Sequence, residues 1–301
     1  MSLKNNLKVL VLVLLVVPLL LTGCKKKSDV EKLVLTVKGS DTMVNLSQKW
    51  AEEYMKVNPN TSIQVTGGGS GTGIAALLNG TTDLANASRD MKEKEYEDAE
   101  TQGFEPIKYE VALDGIAVIV HPENSIDEIT VDQLSKIFTG EYTNWKEVGG
   151  SDMPITLYGR ENSSGTYEFF KEHVLGKDAR GVKRDYATTT QVLQGTAALG
   201  EAVARDNKGV GYGGVGYFAQ RNDVKILKVK ADDNAPAIAP AENGAVNYDA
   251  IWNGDYSISR YLYCFSTNKS DAKVKNFLNF ILSEDGQKLV ENMEYIPLPK
   301  K

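Results

Sequence analysis

The chain of 301 residues is 42% hydrophobic and 25% charged, with 27 Gly and 9 Pro, the make-up of a folded globular protein rather than a collagen-like or wholly disordered one. That length fits two domains better than one compact core. A net charge of −6 speaks against a general nucleic-acid binder, and two Cys and two His leave no disulfide scaffold, no four-cysteine metal site and little for zinc or His-based catalysis.

Residues 1–23 read as a targeting segment. Lys4 and Lys8 form a basic start, and Val9–Leu21 is an apolar stretch too short to span a bilayer. Leu21-Thr22-Gly23-Cys24 resembles the lipobox of bacterial lipoproteins, in which the Cys is lipidated and becomes the first residue. Cleavage there removes two Lys and no acid, taking the charge from −6 to −8. Residues 24–32, with Lys25-Lys26-Lys27, read as the lipidated Cys and a solvated tether. The expected location is therefore extracytoplasmic, at the cell membrane or its periplasmic face, held by acyl chains such as palmitate on Cys24. Cys264, inside the apolar run Tyr261–Phe265, reads as a buried small hydrophobe.

From there strands and helices alternate, which argues for an α/β fold. The pattern predicts a strand at Leu33–Val37, a helix at Met43–Val57 stopped by Asn58-Pro59-Asn60, a strand at Ser62–Val65 and a helical run at Ile74–Leu78. A buried strand at Asp83–Ala87 and a charged helix at Met91–Thr101 follow. Glu110–Val120 is a long apolar strand. Thr130 caps a helix through Phe138, and Pro154–Tyr158, Ser164–Leu175 and Gly195–Asp206 read as strand, helix and helix. Gly209–Phe218 is a strand or turn region and Ala231–Asn247 a surface excursion. Arg260–Ser266 is a strand, and Val274, Phe277, Leu278, Ile281 and Leu282 mark a last amphipathic helix.

Three segments share one design, a strand, then small hydroxyl and glycine residues, then a helix. They are Gly39-Ser40-Asp41-Thr42-Met43, Gly69-Ser70-Gly71-Thr72-Gly73 and Arg160-Glu161-Asn162-Ser163-Ser164-Gly165-Thr166. First-turn amides of a helix lack partners and carry partial positive charge, so an anion is welcome there. Hydroxyls add donors, Gly lets backbone come close, and Arg160 adds a charge-assisted contact. Each segment alone reads first as helix capping, which needs no ligand. Gly67–Gly73 lacks the Gly-Lys-Ser/Thr ending of a nucleotide phosphate loop, so a small inorganic oxyanion is the better fit.

These motifs, the lipobox, Ala87-Ser88-Arg89, Asp114–Val118 and Ile137–Gly140 with Asn144-Trp145 occur in one order. Together they resemble the phosphate-binding lipoproteins of the bacterial high-affinity phosphate ABC transporter, the PstS family, over almost the whole chain after Cys24. The resemblance implies a type II periplasmic binding protein, an α/β fold of two lobes joined by two crossover strands with the ligand in the cleft. Lobe one would be 33–110 plus 260–301 and lobe two 111–259, with Glu110–Val120 and Arg260–Ser266 as crossovers. It implies capture of inorganic phosphate and delivery to the membrane permease, by a monomer anchored to the bilayer through Cys24, with no nucleic acid, metal or cofactor and no enzymatic activity.

Carried over by position, Thr42, Met43 through its backbone N–H, Ser70, Arg160, Ser164, Gly165 and Thr166 bind phosphate, with Ser40, Asp41, Ser88 and Arg89 beside them. The family often places an acid directly after a small-residue pair. Here Arg89 follows Ala87-Ser88, with Asp90 next, and Asn162 stands where an acid would orient Arg160, leaving Glu161 for that task. Phosphate carries a proton that sulfate lacks, and a carboxylate acceptor separates the two. Asp41, Asp90 or a backbone carbonyl could be that acceptor, with Asp41 preferred. The rival readings are another tetrahedral oxyanion (sulfate, molybdate, a phosphonate) or an extracytoplasmic phosphatase, for which neither a nucleophile with a base nor a metal set is offered. His121, His173 and the three Trp read as loop, helix-face and packing residues, and Asp114 as structural.

Overall fold

The computed structural model describes residues 32–299. The readings on the signal segment, Cys24 and the Lys-rich tether lie outside the described residues.

The first third repeats a parallel strand–helix unit: β1 (Leu33–Gly39), α1 (Val44–Val57), β2 (Thr61–Thr66), α2 (Ser70–Leu78), β3 (Leu84–Ala87) and α3 (Glu93–Thr101). The predicted helix from Met43 begins instead as a 3-10 turn, Asp41–Met43, before α1. Then β4 (Pro106–Val120) runs for 15 residues, starting before the predicted Glu110. Its first five residues are partly or fully exposed, and from Val111 on every residue is buried, as expected of a strand covered on both faces.

Beyond it come β5 (Glu128–Thr130), α4 (Val131–Phe138), β6 (Thr156–Arg160), α5 (Gly165–Phe170), β7 (Gln191–Leu193), α6 (Gly195–Ala204), β8 (Gly209–Gly214), α7 (Val215–Phe218), β9 (Lys225–Ile226) and β10 (Lys228–Lys230). Thr130 caps α4 through a reciprocal pair with Gln133, at 3.1 and 3.0 Å. Helix α5 continues as a π turn through Leu175, so the helix predicted over Ser164–Leu175 is two pieces. The surface excursion contains a small hairpin, β11 (Ala241–Glu242) with β12 (Ala245–Val246), and leads to α8 (Tyr248–Trp252). The chain closes with β13 (Ser259–Thr267), α9 (Ala272–Leu282) and α10 (Glu284–Asn292).

The main sheet runs β2-β1-β3-β13-β4-β8-β6-β7, with β9 also on β4. Its pairings are parallel on both flanks and antiparallel through the middle, where β13 lies between β3 and β4 and β8 adds to β4. Two apolar cores flank this middle. One gathers Leu35, Trp50, Val111, Ala112, Leu262 and Phe277. The other gathers Ile116–Val120, Phe138, Trp145, Phe170, Tyr212 and Ile258. Strand β4 thus passes from one core to the other, and the chain entering β13 does the same between Ile258 and Leu262. A third passage was not expected from the sequence. After α10 the chain crosses beside them, Tyr295 in the first core and Ile296 in the second, with Ile296 bridged to Leu113 by bonds of 2.7 and 3.2 Å.

Trp50 and Trp145 are fully buried, whereas Trp252 is 41% exposed and donates to Pro297 O at 2.9 Å. Cys264 is buried and unpaired, and burial pushes its thiol up, away from reactivity. His173 stacks on Phe169 at 4.0 Å. Among the described residues no helix is long and apolar enough to cross a membrane.

Candidate functional site

In open α/β sheets the carboxyl ends of parallel strands are where helices start and ligands gather. The turns after β1, β2 and β6 open into the 3-10 turn before α1, into α2 and into α5, and they meet one another directly. Gly69 N donates to Gly39 O at 3.0 Å, and Gly68 N to Asp41 Oδ1 at 2.9 Å, which ties the first two turns. The third joins them through Gly71 N to Ser163 O at 3.0 Å, Ser163 Oγ to Gly68 O at 3.2 Å and Thr42 Oγ1 against Thr166 Oγ1 at 2.8 Å. Two glycines permit this approach. Gly69 has φ +90°, and a Cβ there would stand 2.5 Å from Ser163 O. A Cβ on Gly165 would overlap Ser70 Oγ and stand 2.6 Å from Ser88 Oγ.

The hydroxyls are polarised in one sense. Ser164 Oγ caps α5, accepting from the amides of Thr166 and Tyr167, both at 3.2 Å. Ser70 Oγ accepts from Ser88 N at 3.0 Å and lies 3.2 Å from Ser88 Oγ. An oxygen that already accepts from an N–H keeps its own proton to donate. Thr196, at the start of α6, follows the same rule, its Oγ1 accepting from Arg160 Nη1 at 3.0 Å.

Arg160 is 1% exposed and has its guanidinium fixed from three sides. Nε and Nη2 form a fork onto Glu161 at 3.1 and 2.9 Å, and Nη2 also reaches Asp41 Oδ2 at 3.2 Å. Glu161, the acid left for this task by the sequence, performs it and also accepts from Gly195 N. Burial raises the Asp41 carboxyl, against the pull of the Gly68 amide and Arg160, with Glu161 adding to the rise. Glu161 is held below the usual carboxylate range: its burial is outweighed by the Arg160 hydrogen bonds and charge.

Other proposed residues sit differently. The Met43 side chain is buried in the first core, and its amide donates to Ser40 O at 3.0 Å rather than into the centre. Ser40 is 2% exposed, with its amide on Asn86 O. Arg89 lies at the edge, beside Gly71, forked onto Glu95 at 2.8 and 2.8 Å. Asp90 is drawn outward by Lys108 at 2.6 Å and Tyr96 at 2.9 Å, which leaves Asp41 among the turns, with Glu161 occupied by the Arg160 fork.

Two groups that the sequence did not assign to the site stand behind the turns. Arg260 of β13 and Asp114 of β4 are cross-strand partners, buried and paired at 2.9 Å. The Tyr295 hydroxyl donates to Thr42 O, so the third passage ends on the first turn. Beside it lies a cavity of about 10 Å³ lined by Asp41, Thr42, Asn45, Thr196, Gly214, Tyr217 and Tyr295, room for about one water. Among the described residues no cluster of His, Cys, Asp and Glu is placed to hold a metal.

Residues 26–285 match the model of the PBP superfamily domain. The Phosphate-binding protein PstS of Pseudomonas aeruginosa is 34% identical over 87% of this chain and 82% of its own, and that of Bacillus subtilis 33% identical over 88% and 80%. Among solved structures, a putative phosphate ABC transporter substrate-binding protein with bound phosphate from Clostridium perfringens has TM-score 0.75 and 29% identity, over 88% of this chain and 100% of that one. An ABC-type phosphate transport receptor from Vibrio cholerae has TM-score 0.68 and 30% identity over the same shares.

Proposed function

This chain belongs to the PBP superfamily and, within it, to the phosphate-binding PstS family, and from that premise we propose that it captures inorganic phosphate between its two halves and hands it to the permease of an ABC transporter. The observation that carries this is the meeting of three hydroxyl- and glycine-rich helix starts around Thr42 and Thr166, with the buried, Glu161-braced Arg160 beside them. Such a centre presents donors from Ser70, Ser164, Thr166 and Arg160 and, with Glu161 taken up by the Arg160 fork, the Asp41 carboxylate as acceptor. That set suits a small oxyanion that still carries a proton.

The halves of this reading are 33–110 plus 260–301 and 111–259, and it is supported by separate large apolar clusters on either side of the central strands. The turns touch directly, so an anion enters when the halves part. Its oxygens then replace cross-cleft bonds such as Thr42–Thr166, and closure follows from contacts that both halves make with one ion. No bond chemistry is assigned. Calorimetry on the full chain in detergent with phosphate, sulfate, arsenate and molybdate tests the reading; phosphate should bind and sulfate should not. Indifference to millimolar phosphate would end it, and turnover of a chromogenic phosphate ester would favour the phosphatase.

Asp41 is the acceptor for the phosphate proton. Asp41→Asn should lower the preference for phosphate over sulfate by about tenfold, more than it lowers phosphate affinity itself, because the amide no longer repels a bare oxygen. The carboxyl is ionised above its raised pKa and neutral below it. Wild-type selectivity should therefore fade on acidification at a higher pH than an exposed aspartate would titrate, while Asp41→Asn stays flat. Competition titrations at neutral and mildly acidic pH decide this; parallel curves for the two proteins would remove Asp41 from the role.

Cys24 anchors the protein outside the cytoplasmic membrane after removal of residues 1–23, a reading that rests on the basic, apolar and Gly-Cys pattern of the sequence. Cys24→Ser should move the protein from the membrane fraction into the soluble one; unchanged fractionation would refute the anchor.

A further inference from the structure

We propose that Arg260 is a positioning residue that dictates which way the Thr166 hydroxyl points, and thereby the orientation in which a singly protonated phosphate is held. The proposal rests on the phosphate reading above. A guanidinium donates and never accepts. Arg260 Nη2 lies 2.8 Å from Thr166 Oγ1, so one acceptor site of that oxygen is filled, its proton is kept off the Arg260 side, and in this proposal it turns to the other neighbour. That neighbour is Thr42 Oγ1, at 2.8 Å across the cleft, where an anion oxygen would enter.

The guanidinium has no freedom to release this grip. Nη2 and Nε both hold Asp114 Oδ2, at 2.9 and 3.3 Å, Nη1 reaches Gly165 O at 3.3 Å, and the group lies over the Phe169 ring at 5.2 Å. Asp114 is 0% and Arg260 7% exposed. Charge balance for Asp114 would be met equally by a lysine. The additional donors on Thr166 and Gly165 are what a lysine, a point charge without the planar fork, does not supply together.

At the Thr166 corner, then, an anion meets a proton and must offer a bare oxygen; a P–OH there would set hydrogen against hydrogen. Asp41, acceptor-only when ionised, is the corner where the P–OH fits. The two corners together leave one orientation for the ion. Because Arg260 of β13 is paired with Asp114 of β4, this orientation is set from the central strand pair behind the turns rather than from the turns themselves.

A double-mutant cycle on the full chain tests the link, with inorganic phosphate as ligand and calorimetry as readout. Arg260→Lys should weaken phosphate binding at least about tenfold when Thr166 is present and less than about twofold in a Thr166→Val background, because the effect passes through that hydroxyl. Losses that simply multiply would overturn the role and leave Arg260 a structural counter-ion. Should Arg260→Lys fail to fold, judged by its melting transition, the pair Arg260→Gln with Asp114→Asn removes both buried charges together. The same cycle against Thr166→Val then separates a coupled loss, as expected, from a multiplying one, which overturns the role. A wild-type chain indifferent to phosphate overturns the functional reading itself; a wild type that binds, with multiplying losses, overturns only the part given to Arg260.

Discussion

Arg160→Ala is expected to lower phosphate affinity by at least about 100-fold, roughly 2.8 kcal/mol, and to lower the melting temperature as well. Four of the five guanidinium N–H groups are spent on Glu161, Asp41 and Thr196. Their removal leaves two carboxylates facing each other without the cation between them, one of them only 5% exposed. Breaking a buried pair from one side is costly because the other charge stays behind. That same uncompensated charge then repels the incoming anion. The two consequences separate experimentally. Arg160→Lys restores the charge without the fork, so it should recover most of the thermal stability and only part of the affinity. Calorimetry and thermal melts on the three proteins read both. Affinity within threefold of wild type in Arg160→Ala would remove this residue from the site.

The parts of this site that could be read from sequence are the ones written locally. A strand that ends in Gly-Ser-Gly-Thr or in Ser-Ser-Gly-Thr announces a helix start, because cap, close-approach glycine and hydroxyl donor are neighbours in the chain. The pairing of Arg160 with Glu161 is adjacent for the same reason. What stayed hidden depends on register. Arg260 and Asp114 are 146 residues apart and meet only because β13 and β4 pair antiparallel at that position. Arg260 is the one charged residue of β13, and Asp114 the one charged residue in the buried part of β4; such a residue is nearly always paired when buried, which was the signal available. Thr196 belongs to a fourth helix start, after the three-residue strand Gln191–Leu193, too short to show a period. The separation of α9 from α10 turns on Ser283, which caps the second by accepting from Gly286 N at 3.2 Å; the apolar pattern runs on through it. The outward turn of Asp90 follows from Lys108 and Tyr96, again set by tertiary placement. Resemblance supplied the order of the motifs, and the bonds between the turns show which of them meet.

Gly165→Ala should be nearly as damaging to binding as Arg160→Ala while leaving the fold almost untouched. Gly165 is the first residue of α5, and alanine is well tolerated in a helix, so the local conformation offers no objection. The objection comes from across the cleft. The added methyl would overlap Ser70 Oγ, stand 2.6 Å from Ser88 Oγ and 2.9 Å from Ser70 Cβ. Those atoms belong to α2 and to the residue after β3, and they are pinned to one another by the Ser88 amide. Ser70 Cβ is fixed by the backbone of α2 and Ser70 Oγ is held by the Ser88 amide, so the strain is relieved by parting the halves rather than by local adjustment. A site assembled from turns on both sides loses its geometry when they stand even an ångström further apart. We expect phosphate affinity to fall by at least about 100-fold with a melting temperature within a few degrees of wild type. Small-angle scattering should give the same radius of gyration with and without phosphate, where wild type contracts. A variant that binds as tightly as wild type would mean that the methyl is absorbed locally, and that direct contact between the second and third turns is not needed to hold the ion.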